Sequence, residues 1–416
     1  MVNKILFLLV FILTSLTVNA QNTVIKAGHF FDARNGKMLE DQIIVIQDGK
    51  IKEIGINPKF SDTDRIIDLS NSWVLPGLMD CHVHITDNLP YRNIQIEQMY
   101  AQESTSLRAI RGTVVAKQFL DNGFTTIKEI GNDANYATAD IIKAIKKGWI
   151  LGPTIIYAGK IIAPYGGQSK GVNPEHAHSW DFEYLDADTP DEIKKAVRKN
   201  IYNGATVIKL VTGDNGIYNK EDIKAAVDEA KKYGLKVTVH TVGGLASTNV
   251  ISAGAAGIEH GFDLTDEQLQ LMKDNQTFLI GTDFSYDNWY AYGMDSTKAT
   301  TLNNNIVDRL KRAYDIGTPM AFGTDIIVNL PELNRVASSL KVLETWKAAE
   351  IPASYILQTM TINAAELLGV DKERGILESD YYADIIAVQN NPLNDIESIK
   401  TVHFVMKEGK IIRNDK

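Results

Sequence analysis

The 416-residue chain contains one cysteine, Cys81, so an intramolecular disulfide is excluded and burial has to stabilise the fold. It has no cluster of Lys and Arg interleaved with aromatics, and its net charge is −9, which together argue against nucleic acid as a partner. Low-complexity tracts and repeats at a solenoid period are missing too. No apolar run reaches the roughly 20 residues that cross a bilayer, so no membrane span is expected in the mature protein. One shorter run, Ile5 to Leu13, follows Lys4 and is followed by Val18-Asn19-Ala20. Residues 1–20 therefore read as a signal peptide, with export to the periplasm or the medium and a mature chain beginning near Gln21. What remains is ordinary globular composition, 44% hydrophobic and 23% charged.

Both ends of the chain read as short strands with turn punctuation. Residues 23–26, 42–47, 50–56 and 65–69 alternate apolar and polar, and Asp48-Gly49 is a two-residue hairpin signal. Residues 383–388, 402–406 and 407–412 repeat the pattern, with Glu408-Gly409 at the turn. Two such ends predict one small β-sandwich assembled from residues 21–73 and 370–416.

Between them, residues 74–369 alternate apolar strands with amphipathic helical stretches. Eight strands are expected, at 74–85, 125–130, 154–162, 206–211, 236–241, 257–261, 277–283 and 320–325. Thr189-Pro190-Asp191-Glu192 is a helix start with Pro at the first position and acids in the first turn. Eight strand and helix units predict an α/β fold, a (β/α)8 TIM-like barrel, whose chemistry collects at the carboxyl ends of its strands.

The polar residues fall at those ends. His82 and His84, two apart on the first strand, share a face, and Cys81 points away from it. Lys209 interrupts the apolar fourth strand on the side of Val207 and Val211, where an unpaired cation is costly. His240 ends the fifth strand, His260 the sixth and Asp325 the eighth. Any one of them alone fits a hydrogen-bonded structural residue, but together they put imidazole, carboxylate and amine at one rim.

These residues, in Pro76-Gly77-Leu78-Met79-Asp80-Cys81-His82-Val83-His84, Val207-Ile208-Lys209, His240, Ile258-Glu259-His260-Gly261 and Gly323-Thr324-Asp325, resemble the amidohydrolase superfamily. The similarity extends to Asn363-Ala364-Ala365-Glu366-Leu367-Leu368-Gly369 and Ala383-Asp384-Ile385-Ile386, and so covers nearly the whole mature chain. It implies a binuclear centre in which a carboxylated Lys209 bridges two divalent metals. His82, His84, Asp325 and Lys209 would hold one ion, and Lys209, His240 and His260 the other. Zinc suits such donors. A neutral amine is needed to take up CO₂, and burial pulls a lysine toward neutrality. The implied reaction is attack of a metal-bridging hydroxide on an amide, with Asp325 as general base and then acid.

Further segments, Gly123-Phe124-Thr125-Thr126-Ile127, Gly152-Pro153, Gly166-Gly167 and 186–192, resemble the branch of Xaa-Pro and other Xaa-specific dipeptidases, with imidazolonepropionase-like amidohydrolases as neighbours. That branch implies a substrate contact at Tyr218. Gln168 and Val242 stand where members often carry histidine, so the substrate contacts differ. His176 and His178, in a long polar loop, are assigned to a lid or to solvent, with His178 a candidate substrate contact. The expected substrate is a small molecule, a dipeptide or an N-acyl amino acid. An esterase, lactonase or cyclic-amide hydrolase remains as the alternative, followed by a deaminase or a non-catalytic binding protein. A homo-oligomer is left open.

Overall fold

The computed structural model describes residues 21–131, 134–168, 173, 175–176, 181–212 and 217–415. The expected signal peptide lies outside these residues. Among the described residues no helix is long and apolar enough to cross a membrane.

Strands β1 (Thr23–Asp32), β2 (Lys37–Gln47), β3 (Lys50–Gly55) and β4 (Arg65–Pro76) pair with three strands from the other end of the chain. A seven-stranded sheet results, in which β4 lies between β1 and a strand at Ile385–Val388. The turns are set by backbone sterics. Asp48 and Gly49 both have positive φ, 51° and 82°, as do Glu408 and Gly409 at 49° and 74°, the combination a two-residue turn of the right twist requires. The two turns meet, for a Cβ on Gly409 would lie 2.7 Å from the Gly49 Cα. The sheet thus folds back on itself around an apolar core containing Ile25, Ile44, Ile67, Ile385, Phe404 and Met406.

The expected first strand, 74–85, is instead two. β4 stays in the terminal sheet, and β5 (Leu78–Val83) begins the parallel part. Gly77 is the joint. Its N–H donates to the Asp384 carbonyl at 2.8 Å, and a Cβ there would fall 2.1 Å from Thr125 Oγ1, so no larger residue fits.

β5 pairs in parallel with β6 (Phe124–Glu129), and β6 with β7 (Thr154–Tyr157). A second, six-stranded parallel sheet contains β8 (Ile161–Ala163), β9 (Tyr184–Asp186), β10 (Ile208–Val211), β11 (Val237–Gly243), β12 (Gly257–Asp263) and β13 (Phe278–Ile280). The third expected strand is therefore divided into β7 and β8, at Gly159 with φ of 74°. The eighth, 320–325, forms no continuous ladder. It bridges Leu279 at Met320, accepts from Cys81 N at the Phe322 carbonyl and donates from Asp325 N to the His82 carbonyl, both at 2.8 Å. On the other side, Thr206 N reaches the Tyr157 carbonyl at 2.7 Å. The segment 320–325 thus links β5 to β13, and the residues before β10 bond the end of β7.

Strands β14 (Ile385–Val388), β15 (Val402–Lys407) and β16 (Lys410–Asn414) complete the terminal sheet. Helices cover the parallel strands, and Pro190–Tyr202 starts as expected: Thr189 accepts from Glu192 N while Glu192 accepts from Thr189 N. Val237 and Val239 of β11 join the helices in the main apolar core, whereas Thr238 faces the strand interior.

Candidate metal centre

Four of the expected residues meet. Asp325 Oδ1 lies 3.3 Å from His82 Nε2 and 3.2 Å from His84 Nε2, and those two nitrogens are 3.3 Å apart. The other oxygen, Oδ2, is 3.7 Å from His260 Nδ1. Donor atoms of His82, His260 and Asp325 lie within 4.8 Å of one another, close enough to share one ion. His240 is next, its ring centroid 4.2 Å from that of His260.

Backbone conformation brings them there. Strand alternation would send Glu259 and His260 to opposite sides. His260 has φ of 74°, which breaks the alternation, and both side chains reach His82. Asp325, with φ of 55°, lies in the same left-handed region. Two non-glycine residues held there cost on the order of 1–3 kcal/mol each, the pattern of strain kept for function.

Two rings are oriented from behind: His82 Nδ1 is 2.8 Å from Glu259 Oε2 and His84 Nδ1 2.8 Å from the Gly131 carbonyl, while His260 Nδ1, the nitrogen facing Asp325, is 2.9 Å from Thr282 Oγ1. Such partners are what metal-ligating histidines use to fix their tautomer. Asp80 braces the first and last parallel segments, accepting from the N–H of His82 and of Thr324 and from the Thr324 hydroxyl.

Lys209 opens into the same cavity as His82, His84, His240, His260 and Asp325. It is 2% exposed, and its amine has no hydrogen bond or ion pair with any described residue. Burial pulls its pKa down to about 8, with Lys128 adding to the effect and Glu259 opposing it. Burial and the Lys209 charge push the His240 imidazole down to about 3. For Asp325 burial acts upward, but His82 and His84 overcome it and hold the carboxyl well below the usual range. A carboxylate, neutral imidazoles and an orphaned buried amine are a donor set that fits divalent metal.

The cavity around the cluster is lined by Ile96, Tyr100, Ile161, Phe284, Tyr292 and Ile327. Tyr292 belongs to the aromatic insert at 289–294 and donates to the Asp325 carbonyl at 2.9 Å, while Trp289 packs behind it on Phe284. Gln168 lines the cavity, its Nε2 3.3 Å from His240 Nδ1. Tyr218 is placed elsewhere. Its ring is buried in the main core and its hydroxyl donates to the Ala187 carbonyl, which turns it away from the cavity. His176 is exposed, and His178 lies outside the described residues. Cys81 packs against Met79, Ile280 and Ala321, away from the cluster.

Sequence reasoning missed Lys128. Its amine is 2.6 Å from Glu259 Oε1, and both side chains are buried.

A family model for the amidohydrolase family matches residues 73–412. The chain belongs to the amidohydrolase family. It is a hydrolase of carbon–nitrogen bonds, in a family that typically binds metal ions. Ochratoxinase of Aspergillus niger is 26% identical over 95% of this chain and 88% of its own. Imidazolonepropionase of Thermoanaerobacter pseudethanolicus is 22% identical over 86% of each. Among solved structures, a Xaa-Pro dipeptidase with methionine bound in its active site superposes with a TM-score of 0.83 at 29% identity, covering 95% of this chain and all of that one.

Proposed function

We propose that this amidohydrolase is an exported binuclear enzyme that cleaves an amide bond in a small peptide or N-acyl amino acid. One observation carries the reading: a buried Lys209 amine, unpaired among the described residues, opens into the cavity where His82, His84, His240, His260 and Asp325 converge. A neutral amine there can add CO₂ and lose a proton, giving an anionic carbamate that balances cationic charge. His82, His84, Asp325 and the carboxylated Lys209 would hold one metal, and Lys209, His240 and His260 the other. Divalent metal, with zinc the best match to these donors, supplies Lewis acidity toward the scissile carbonyl and acidifies water.

The chain's own residues do the rest. Asp325 takes a proton from the attacking water and gives it to the departing amine as the carbon–nitrogen bond breaks. Its low pKa keeps it ionised and ready to accept. Apolar residues around the cluster, Phe284 and Ile327 among them, receive the substrate's apolar groups, with Gln168 facing it from the His240 side. The resemblance to a Xaa-Pro dipeptidase and to ochratoxinase supports an amide substrate.

The hydrogen bonds of 320–325 to both neighbours support closure of the parallel segments into a (β/α)8 barrel over residues 74–369, with 21–73 and 370–416 as a composite β-sandwich domain. The apolar run at Ile5 to Leu13 supports export. The test is turnover of a panel of dipeptides and N-acyl amino acids beside matched esters and lactones. Amide cleavage that is lost with chelator and restored by zinc is expected; hydrolysis of esters alone would contradict the amide assignment.

A further inference from the structure

Of the buried charged pairs that have no part in the proton transfer assigned to Asp325, one reaches a residue of the cluster. Lys128 and Glu259 come from β6 and β12, 131 residues apart in sequence, and their side chains are at most 1% exposed. A pair so buried is no stability device by itself. Removing two charges from water costs several kcal/mol per ion, and an apolar pair of equal volume is often as stable. The position of the pair says more.

Glu259 is held by three donors. Lys128 and the Thr238 hydroxyl are on Oε1, and His82 Nδ1 is on Oε2 at 2.8 Å. With Nδ1–H donated to Glu259, the lone pair of His82 is on Nε2, the atom facing His84 and Asp325. Behind His84 the hydrogen bond goes to the neutral Gly131 carbonyl, with the Glu129 carboxylate farther off at 3.7 Å, and His260 bonds the Thr282 hydroxyl. Of these three rings, His82 has a carboxylate behind it at hydrogen-bond distance, 2.8 Å. An anion behind an imidazole raises its basicity toward a metal in front. Lys128 keeps that side chain in place, its amine 2.6 Å from Oε1.

We propose that Glu259 is a positioning residue that fixes the tautomer of His82 and strengthens it as a metal ligand, with Lys128 as the counter-charge that holds Glu259 in place inside the strands. The inference rests on reading the cluster as a metal centre.

The test uses full-length protein stripped of metal, with cobalt(II) as the probe, titrated against a chromophoric chelator and followed by its visible absorption. Glu259→Gln should keep the fold and weaken cobalt binding about 10- to 100-fold, with shifted ligand-field bands. Lys128→Met alone leaves a buried unpaired carboxylate and should lower the Tm of the metal-free protein. Lys128→Met combined with Glu259→Gln restores neutrality, so that Tm should recover while cobalt binding stays weak. Recovery of both would make the pair merely structural and overturn the proposal, as would wild-type affinity and spectrum in Glu259→Gln. Thr238→Val removes one donor to Glu259 without changing charge, and should give a smaller loss of affinity in the same direction; unchanged affinity there would count against the proposal should Glu259→Gln not fold. If the wild-type protein takes up no cobalt, the metal reading falls and takes this inference with it. If wild type and variants take it up equally, this inference alone falls.

Discussion

Two interiors of this molecule are built on opposite terms. The terminal sheet encloses Ile25, Phe30, Ile44, Ile51, Leu69, Phe404 and Met406, an apolar core of the ordinary kind. The parallel strands enclose Asp80, His82, Lys128, Glu129, Lys209 and Glu259, none more than 2% exposed. Charge buried at that density is destabilising unless each group is paired, and Lys209 has no ion pair with any described residue. The difference teaches where each region's free energy goes. Burial in the terminal sheet stabilises the fold, whereas the strand interior keeps costly groups whose use is chemical. Mutations should therefore separate: the strand interior should move activity more than stability, and the terminal sheet the reverse.

The sharpest separation is expected at Asp325. Asp325→Asn keeps the side-chain volume and removes the proton acceptor, so kcat should fall about 10²- to 10⁴-fold while Tm changes little. Circular dichroism melts alongside initial rates on a cleaved amide check both halves. A Tm loss large enough to account for the rate would erase the contrast between the two interiors.

Phe404→Ala should do the opposite. The ring is fully buried in the terminal sheet, and its loss should cost about 3–5 kcal/mol in denaturant unfolding with kcat at the wild-type value. A change in kcat per folded molecule would mean that the terminal sheet shapes the catalytic rim.

The smallest effect is expected on the outer helices, where a buried carboxylate is paired to exposed cations. Arg198 and Lys232 flank Glu229 at 2.7 and 2.6 Å and, against the effect of burial, hold its carboxyl down at about 2. A carboxyl depressed in the folded state contributes stability above its unfolded pKa, and that contribution is lost as pH falls through the folded one. The Tm gap between wild type and Glu229→Gln should thus be full at pH 6 and narrow as pH drops from about 4.5 toward 2. A gap that widens on acidification would reverse the sign.

Much of the candidate site was legible because its residues sit where strand periodicity and strand order expose them. His82 and His84 share a face by the two-residue repeat, and Lys209 stands out in an apolar strand. The terminal turns were legible because Asp-Gly and Glu-Gly pairs tolerate positive φ. Lys128 was not, since a lysine between Ile127 and Glu129 reads as solvent-facing until Glu259 is known to lie opposite. The placement of Tyr218 was not legible either, as a tyrosine near a strand end carries no sign that its hydroxyl bonds the Ala187 carbonyl. The break at Gly77 was hidden because the apolar residues run on through it, and only the approach of Thr125 reveals why a glycine is there.

The central claim is that Lys209 completes a two-metal centre, and metal stoichiometry tests it most directly. Protein reconstituted with zinc in bicarbonate buffer should carry two ions per chain by elemental analysis, and Lys209→Ala should carry fewer and lose amide hydrolysis. Two tightly held ions and full turnover in Lys209→Ala would contradict the account.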